Sequence, residues 1–180
     1  MDAGDVELEI EAAVEAVCMH LTDRLIARGL PIPELLLEPG RSIVGPAGTT
    51  LYTVGSIKRS GDGTIYAAVD GGMSDNPRPA LYGARYEAVV CDRPDAERTV
   101  SYAIAGKHCE SGDVLIDRVE LPQPHRGDLL AVPATGAYTL GMGSNYNGVP
   151  RPAAVLVADG NARITRRRET VDDLLRVETE

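Results

Sequence analysis

Tryptophan and phenylalanine are absent from this 180-residue chain, and seven tyrosines are its whole aromatic stock. The core must therefore be aliphatic with some tyrosine, and a tyrosine set beside an arginine stands out as a binding device. Cysteine is scarce and odd in number. Cys18, Cys91 and Cys109 form no C-x-x-C pair, which argues against a disulfide framework and suits a reducing cytoplasm. Positive charge is short as well: 18 basic residues face 27 acidic ones, for a formal charge of −9. That balance speaks against nucleic acid as a partner, because phosphate binding needs a concentrated basic face. The one basic run, Arg166-Arg167-Arg168, is followed at once by acids and reads as a solvated face. No apolar run approaches the roughly 20 residues that cross a bilayer. The acidic start MDAGDVELEIEA lacks the basic and apolar regions of a signal peptide. These absences describe a soluble cytoplasmic protein with no membrane or nucleic-acid partner.

What is present falls into two textures. Over residues 5–28, Val6, Ile10, Val14, Val17, Leu21 and Leu25 recur at helical spacing, and Gly29 and Pro31 supply the stop. The run PIPELLLEPGR follows, with Leu35 to Leu37 showing no alternation, the pattern of a strand buried on both faces in a parallel sheet. Helix, loop and buried strand together predict the last unit of an α/β fold. After Arg41 come short β-type runs: TTLYTVGSIKR, GTIYAAVD, GARYEAVV, RTVSYAIAG, DLLAVP, AAVLVAD and ARITRRR. Turn residues separate them, with hairpin signals at Asp62-Gly63 and Asp159-Gly160. The fold class is therefore mainly β, a closed antiparallel barrel or sandwich, with a short helix in ETVDDLLRVE capped by Thr170. The boundary falls near residue 45, giving segments 1–45 and 46–180. A lone α/β unit cannot cover its own strand, so another chain or a larger protein is expected to do so.

The chemistry-bearing stretches are LEPGR (Leu37–Arg41), NPRPALYGARY (Asn76–Tyr86), HCESGD (His108–Asp113) and ATGAYTLGMGSNYNG (Ala134–Gly148). Cys109 stands next to Glu110, and a neighbouring carboxylate disfavours the thiolate, so Cys109 suits proton donation better than nucleophilic attack. Metal binding by His108, Cys109 and Glu110 is disfavoured, since adjacent residues of a strand point to alternate faces. GMGSNYNG lacks the strand–loop–helix order of a dinucleotide loop. His20 and His125 read as structural or solvated positions.

In order and approximate spacing, these four stretches resemble the diaminopimelate decarboxylases. Those are fold-type III pyridoxal-phosphate enzymes that join an alanine-racemase-like (β/α)8 barrel to a β-barrel domain. The resemblance runs from about residue 5 to 177 and implies pyridoxal 5'-phosphate as cofactor. It also implies a homodimer in which the HCESGD loop reaches the other subunit's active site. Glu38 would lie by the pyridine nitrogen, where a carboxylate keeps the ring protonated. Pro39, Gly40 and Arg41 would serve the phosphate, Gly40 allowing close backbone approach, and Tyr138 would pack near phosphate and substrate. The unreacted end of diaminopimelate carries both an ammonium and a carboxylate. Arg41, Arg78 and Tyr82 can donate to the carboxylate, arginine offering the bidentate fork, and Glu110 can take the ammonium. Cys109 would then be the general acid that protonates the α-carbon after loss of carbon dioxide. Tyr146 and Asn147 match the family's YN pair.

The departures matter equally. These enzymes hold their cofactor through a lysine Schiff base, and the chain's only lysines are Lys58 and Lys107. Neither sits where the family places that lysine, and the Gly-rich phosphate loop and the ring-stacking histidine are also missing. The expectation is a C-terminal portion, either a truncated product or half of a split enzyme, inactive alone, with a missing N-terminal half as an expected partner. Two alternatives stay open: a non-catalytic dimerisation or regulatory barrel, and a decarboxylase of a related amino acid.

Overall fold

Alanine and glutamate favour helix at the N-terminal end, and in the computed structural model, which describes residues 9–179, they form α1 (Ile10–Ile26). The part of the expected helix before residue 9, including Val6, lies outside the described residues. Gly29 adopts φ +62°, a left-handed conformation that costs glycine nothing, and Leu30 N–H returns to the Leu25 carbonyl. The helix ends there as its sequence predicts.

The next expectation is corrected. Leu35 to Leu37 form no strand and are not buried; Leu36 is 81 % exposed. A strand exists only where a neighbour pairs its backbone, and among the described residues none flanks this run. Instead Leu35 lines a shallow apolar trough with Ala16, Val17 and Leu21 of α1. A short helix, α2 (Arg41–Val44), follows Gly40.

The remainder is mainly β. The strands are β1 (Thr49–Arg59), β2 (Ile65–Val69), β3 (Val89–Val90), β4 (Val100–Ala105), β5 (Val114–Leu121) and β6 (Leu129–Pro133). They form one six-stranded sheet in the order β3-β6-β1-β2-β4-β5. It is mixed rather than antiparallel throughout: β2 pairs parallel with β4, Tyr66 opposite Ala103. Parallel neighbours need a long crossover, and residues 70–99, which include α3 (Arg78–Tyr82) and β3, supply it. β3 and β5 are left as edges, so closure into a barrel is not seen among the described residues. GARYEAVV contributes only Val89–Val90, while β5 escaped the sequence pattern. Its consecutive Leu115 and Ile116 are both buried where the register with β4 shifts, and that irregularity breaks the period of two.

With no phenylalanine or tryptophan, the core is made by Val54, Val90, Ile104, Leu121, Leu130 and Val132, filled out by Tyr52, Tyr86 and Tyr102. Both hairpin signals are met. Gly63 has φ +93° in the β1–β2 turn. Asp159 and Gly160, at +51° and +73°, join β7 (Ala154–Ala158) to β8 (Asn161–Arg166) in a separate two-stranded ribbon. The helix α4 (Val171–Leu175) opens with Thr170, whose side chain exchanges capping bonds with Asp173.

This C-terminal corner is charge-locked. Bonds from Arg151 and Asn145 hold the Glu169 carboxyl down at about 2, and Arg167 and Thr170 hold Asp173 well below its usual range. Both folded values lie below the unfolded ones, so the unfolded chain binds more protons as pH falls from about 4.5 toward 2. Stability from these groups is complete above that window and is lost within it. Urea midpoints should therefore drop between pH 5 and pH 3, and Asp173→Asn should lower the pH 5 midpoint while shrinking that drop.

Candidate active site

Two small clusters gather most of the residues singled out above, and glycine spacing decides the first. Residues 134–138, just after β6, lie directly on α2: Thr135 N–H donates to the Gly48 carbonyl and Gly136 N–H to the Gly45 carbonyl, both at 3.0 Å. A Cβ on Gly136 would stand 1.8 Å from the Val44 oxygen, and one on Gly48 would be 2.2 Å from the Gly136 Cα. Only paired glycines permit this approach. It places the Tyr138 hydroxyl 3.8 Å from where a Cβ on Gly40 would be. Tyr138 itself is held at φ +59°, an uncommon conformation for a residue with a side chain. Buried Thr135 and Thr139 fix it: the Thr139 hydroxyl donates to the Thr135 carbonyl, and Thr50 Oγ1 donates to Thr135 Oγ1 at 2.9 Å.

Arg78 enters from the first turn of α3, after Asn76 and Pro77. Its Cζ sits 5.9 Å from the centroid of the Tyr138 ring, within cation–π range. Arg78 Nε and Nη1 are buried with no hydrogen-bond partner. Buried polar groups are ordinarily satisfied, and these two nitrogens of one guanidinium lack the partner such groups have.

The second cluster is the loop between β4 and β5. Its staple is Asp113, 3 % exposed, whose carboxylate accepts from Met73 N–H at 2.6 Å and His108 N–H at 2.8 Å. Gly106 and Gly72 make room, since a Cβ on either would fall 2.1 and 2.7 Å from that carboxylate. On this base His108 Nε2 meets Ser74 Oγ at 2.8 Å, and its ring lies tilted against Tyr146 with centroids 5.3 Å apart. Cys109 and Glu110 are presented to solvent at the loop tip. Glu110 accepts from Gly112 N–H at 3.1 Å and from the Tyr146 hydroxyl at 3.3 Å. These bonds, that of Gly112 first, hold its carboxyl below the usual range, so it is an anion at neutral pH. Partial desolvation and the nearby Glu110 carboxylate push the Tyr146 hydroxyl up, which keeps it a donor.

Ser74 joins the clusters. Its hydroxyl meets His108, its carbonyl takes Ser144 N–H at 2.9 Å, and Arg78 follows four residues later. Gly40, Arg78 and Tyr138 thus come together on one side, and Cys109, Glu110 and Tyr146 on the other. Glu38, Pro39 and Arg41 are exposed, and no hydrogen bond or ion pair among the described residues ties the Glu38 or Arg41 side chain to either group. Tyr82 is exposed at the far end of α3, one turn from Arg78. His20 lies on α1, and exposed His125 contacts Arg93 and Asp128 away from both clusters.

Asp113, noted in the sequence only as the last residue of HCESGD, and Ser74, unnoticed there, organise the loop. Asp113→Asn should cost about 1–3 kcal/mol in urea unfolding, because one buried N–H would then face an NH2 group. Amide exchange over residues 106–112 should speed up while that of β1 and β2 stays unchanged.

Residues 16–136 match the family model described as pyridoxal-dependent decarboxylase, C-terminal sheet domain. The chain is 48 % identical over 174 residues to the diaminopimelate decarboxylase of Bacillus subtilis (strain 168), covering 97 % of this chain and 40 % of that protein. To the Mycobacterium tuberculosis (H37Rv) enzyme of the same name it is 50 % identical over 163 residues, covering 88 % and 36 %. It superposes on a crystal structure of diaminopimelate decarboxylase with a TM-score of 0.83 at 34 % identity, over 97 % of this chain and 44 % of that one. On the M. jannaschii enzyme in complex with L-lysine the TM-score is 0.80 at 35 % identity, over 90 % and 37 %. The chain spans about two fifths of the length of the curated relatives it matches. It belongs to the pyridoxal-dependent decarboxylases and carries their C-terminal sheet domain.

Proposed function

We propose that this chain is the substrate-reading and proton-donating part of a decarboxylase that converts meso-diaminopimelate to L-lysine with pyridoxal 5'-phosphate. The observation that carries the proposal is Arg78: a guanidinium with two buried, unpaired nitrogens over the Tyr138 ring, in a chain whose second cluster presents an anionic Glu110. A substrate end bearing both a carboxylate and an ammonium needs that pair of charges. An ornithine-type substrate, with a distal ammonium alone, has no use for Arg78.

The donor set fits the cofactor. Gly40, at φ +33°, and Arg41 head α2, where backbone N–H groups can meet a phosphate, and the Tyr138 hydroxyl lies beside them. Glu38 would face the pyridine nitrogen. When bound, pyridoxal phosphate supplies an electron sink for the pair released as the α-carboxylate leaves as carbon dioxide. Cys109 Sγ–H then delivers a proton to the α-carbon, and solvent returns a proton to the sulfur. Arg78, aided by Arg41 and Tyr82, clamps the distal carboxylate, and Glu110 holds the distal ammonium in the orientation set by Tyr146. The lysine that binds the cofactor is not in this chain. Lys58 lies in β1 opposite Tyr66, and Lys107 is exposed at the start of the Asp113-stapled loop. The segment up to residue 45 belongs with the cofactor-binding (β/α)8 barrel, residues 46–180 form the β domain, and the Cys109–Glu110 loop completes the site of a second subunit.

Mixing the purified chain with a separately produced (β/α)8 half of a related enzyme tests this directly. Carbon dioxide and lysine should appear from meso-diaminopimelate and not from ornithine, and only with both polypeptides present. Turnover by the chain alone, or a preference for ornithine, would contradict the proposal.

A further inference from the structure

Glu169 stands between β8 and α4, remote in sequence from both clusters of the candidate site, yet its carboxylate is fully engaged. Oε2 accepts from the Asn145 side-chain amide at 2.7 Å and from Arg151 N–H at 2.8 Å. Oε1 accepts from Arg151 Nε at 2.7 Å and pairs with its Nη2, with Arg166 3.8 Å away. Glu169 N–H returns to the Arg151 carbonyl at 3.1 Å, so backbone and side chain tie the same two segments.

The contact with Asn145 carries the clamp further. The same Asn145 amide also reaches the Val149 carbonyl at 3.1 Å, bracketing the turn Tyr146–Gly148 from both ends. Backbone bonds close the turn, Gly148 N–H donating to the Asn145 carbonyl at 2.9 Å and Val149 N–H to the Tyr146 carbonyl at 3.2 Å, with Asn147 at φ +56° and Gly148 at +68°, both left-handed. Tyr146 leaves from its first position, and its hydroxyl and ring are what meet Glu110 and His108. The direction of the Tyr146 side chain therefore depends on a turn whose entry is fixed by Glu169.

We infer that Glu169 is a positioning residue: through Asn145 it sets the turn that aims Tyr146 at Glu110, and so orients the carboxylate meant for the substrate's distal ammonium. The last step rests on the function proposed above, whereas the clamp does not.

The test needs no turnover. In the 180-residue chain carrying 13C-labelled glutamate carboxyls, Glu110 is titrated by NMR in the unaltered protein and in Glu169→Ala, Asn145→Ala and Tyr146→Phe. Glu169→Ala and Asn145→Ala should each shift the Glu110 midpoint upward, as Tyr146→Phe does, and neither should add to the shift in a Tyr146→Phe background. Asn145→Ala decides the matter if Glu169→Ala does not fold. A folded variant with an unmoved Glu110 midpoint, or a shift that persists undiminished on Tyr146→Phe, would overturn the inference. In an assembly that decarboxylates, the same two variants should raise KM about tenfold with kcat within about twofold. Failure of every assembly to decarboxylate counts against the proposed function, while the titration still decides the clamp.

Discussion

Arg78→Ala should lower kcat/KM for meso-diaminopimelate by about 100- to 1000-fold in an assembly that turns it over, while leaving the chain's own stability unchanged or raised. The two halves of this expectation share one cause. With no substrate, Arg78 buries two nitrogens that bond to nothing, and an unsatisfied buried polar group costs folding free energy. Truncation removes that cost and gives up the contact with the Tyr138 ring, worth about 0.5–1 kcal/mol at exposed sites. With substrate, the same nitrogens would meet a carboxylate out of water, and removing one partner of such a pair costs about 2–5 kcal/mol. Arg78→Lys should recover little, because a point charge cannot reproduce the fork. Steady-state kinetics and urea midpoints on the same preparations check both halves. A destabilised Arg78→Ala variant with full kcat/KM would make Arg78 a packing residue.

Cys109→Ala should lower kcat by about 100- to 10,000-fold, the range for loss of a positioned general acid, with KM nearly unchanged. Cys109 is exposed at the tip of a loop whose shape is set by Asp113, His108 and Ser74. Its side chain supports none of that scaffold, so the variant should fold and bind as before. Glu110→Gln should behave differently. It removes the charge proposed to receive the distal ammonium, so KM should rise while the proposed proton donor stays in place. The split between the two neighbours, kcat for one and KM for the other, is the signature of a donor beside a binding group. Parallel losses in both parameters for both variants would indicate a disordered loop instead.

What the sequence made legible was whatever depends on near neighbours. The Gly29 stop, the Asp159-Gly160 turn and the Thr170 cap are each written within a few residues and are found in place. The strands β1 and β2 were readable because their inward residues alternate, and β4 was readable from its Val, Tyr and Ile content, although Tyr102, Ala103 and Ile104 are buried in succession. β5 was not, since its register shift against β4 hides the alternation, and that shift belongs to the partner strand as much as to β5 itself. Leu35 to Leu37 misled because an apolar run states a need for cover without stating where the cover comes from. In the site, Cys109, Glu110, Arg78 and Tyr138 stood out through family resemblance and charge logic. Asp113, Ser74, the Gly48–Gly136 approach and the Asn145–Glu169 bond did not, because each exists only when segments far apart in sequence meet. The parallel β2–β4 pairing was hidden for the same reason.

The central claim is that this chain reads the substrate and donates the proton while the cofactor-binding lysine lies outside it. Borohydride reduction in the presence of pyridoxal phosphate tests it most directly, followed by intact mass and peptide mapping, on the chain alone and mixed with a (β/α)8 half. The account predicts no stoichiometric label on Lys58 or Lys107 in either sample, and label on the added half together with decarboxylation. Stoichiometric labelling of one of those two lysines in the chain alone would contradict it and place the Schiff base here.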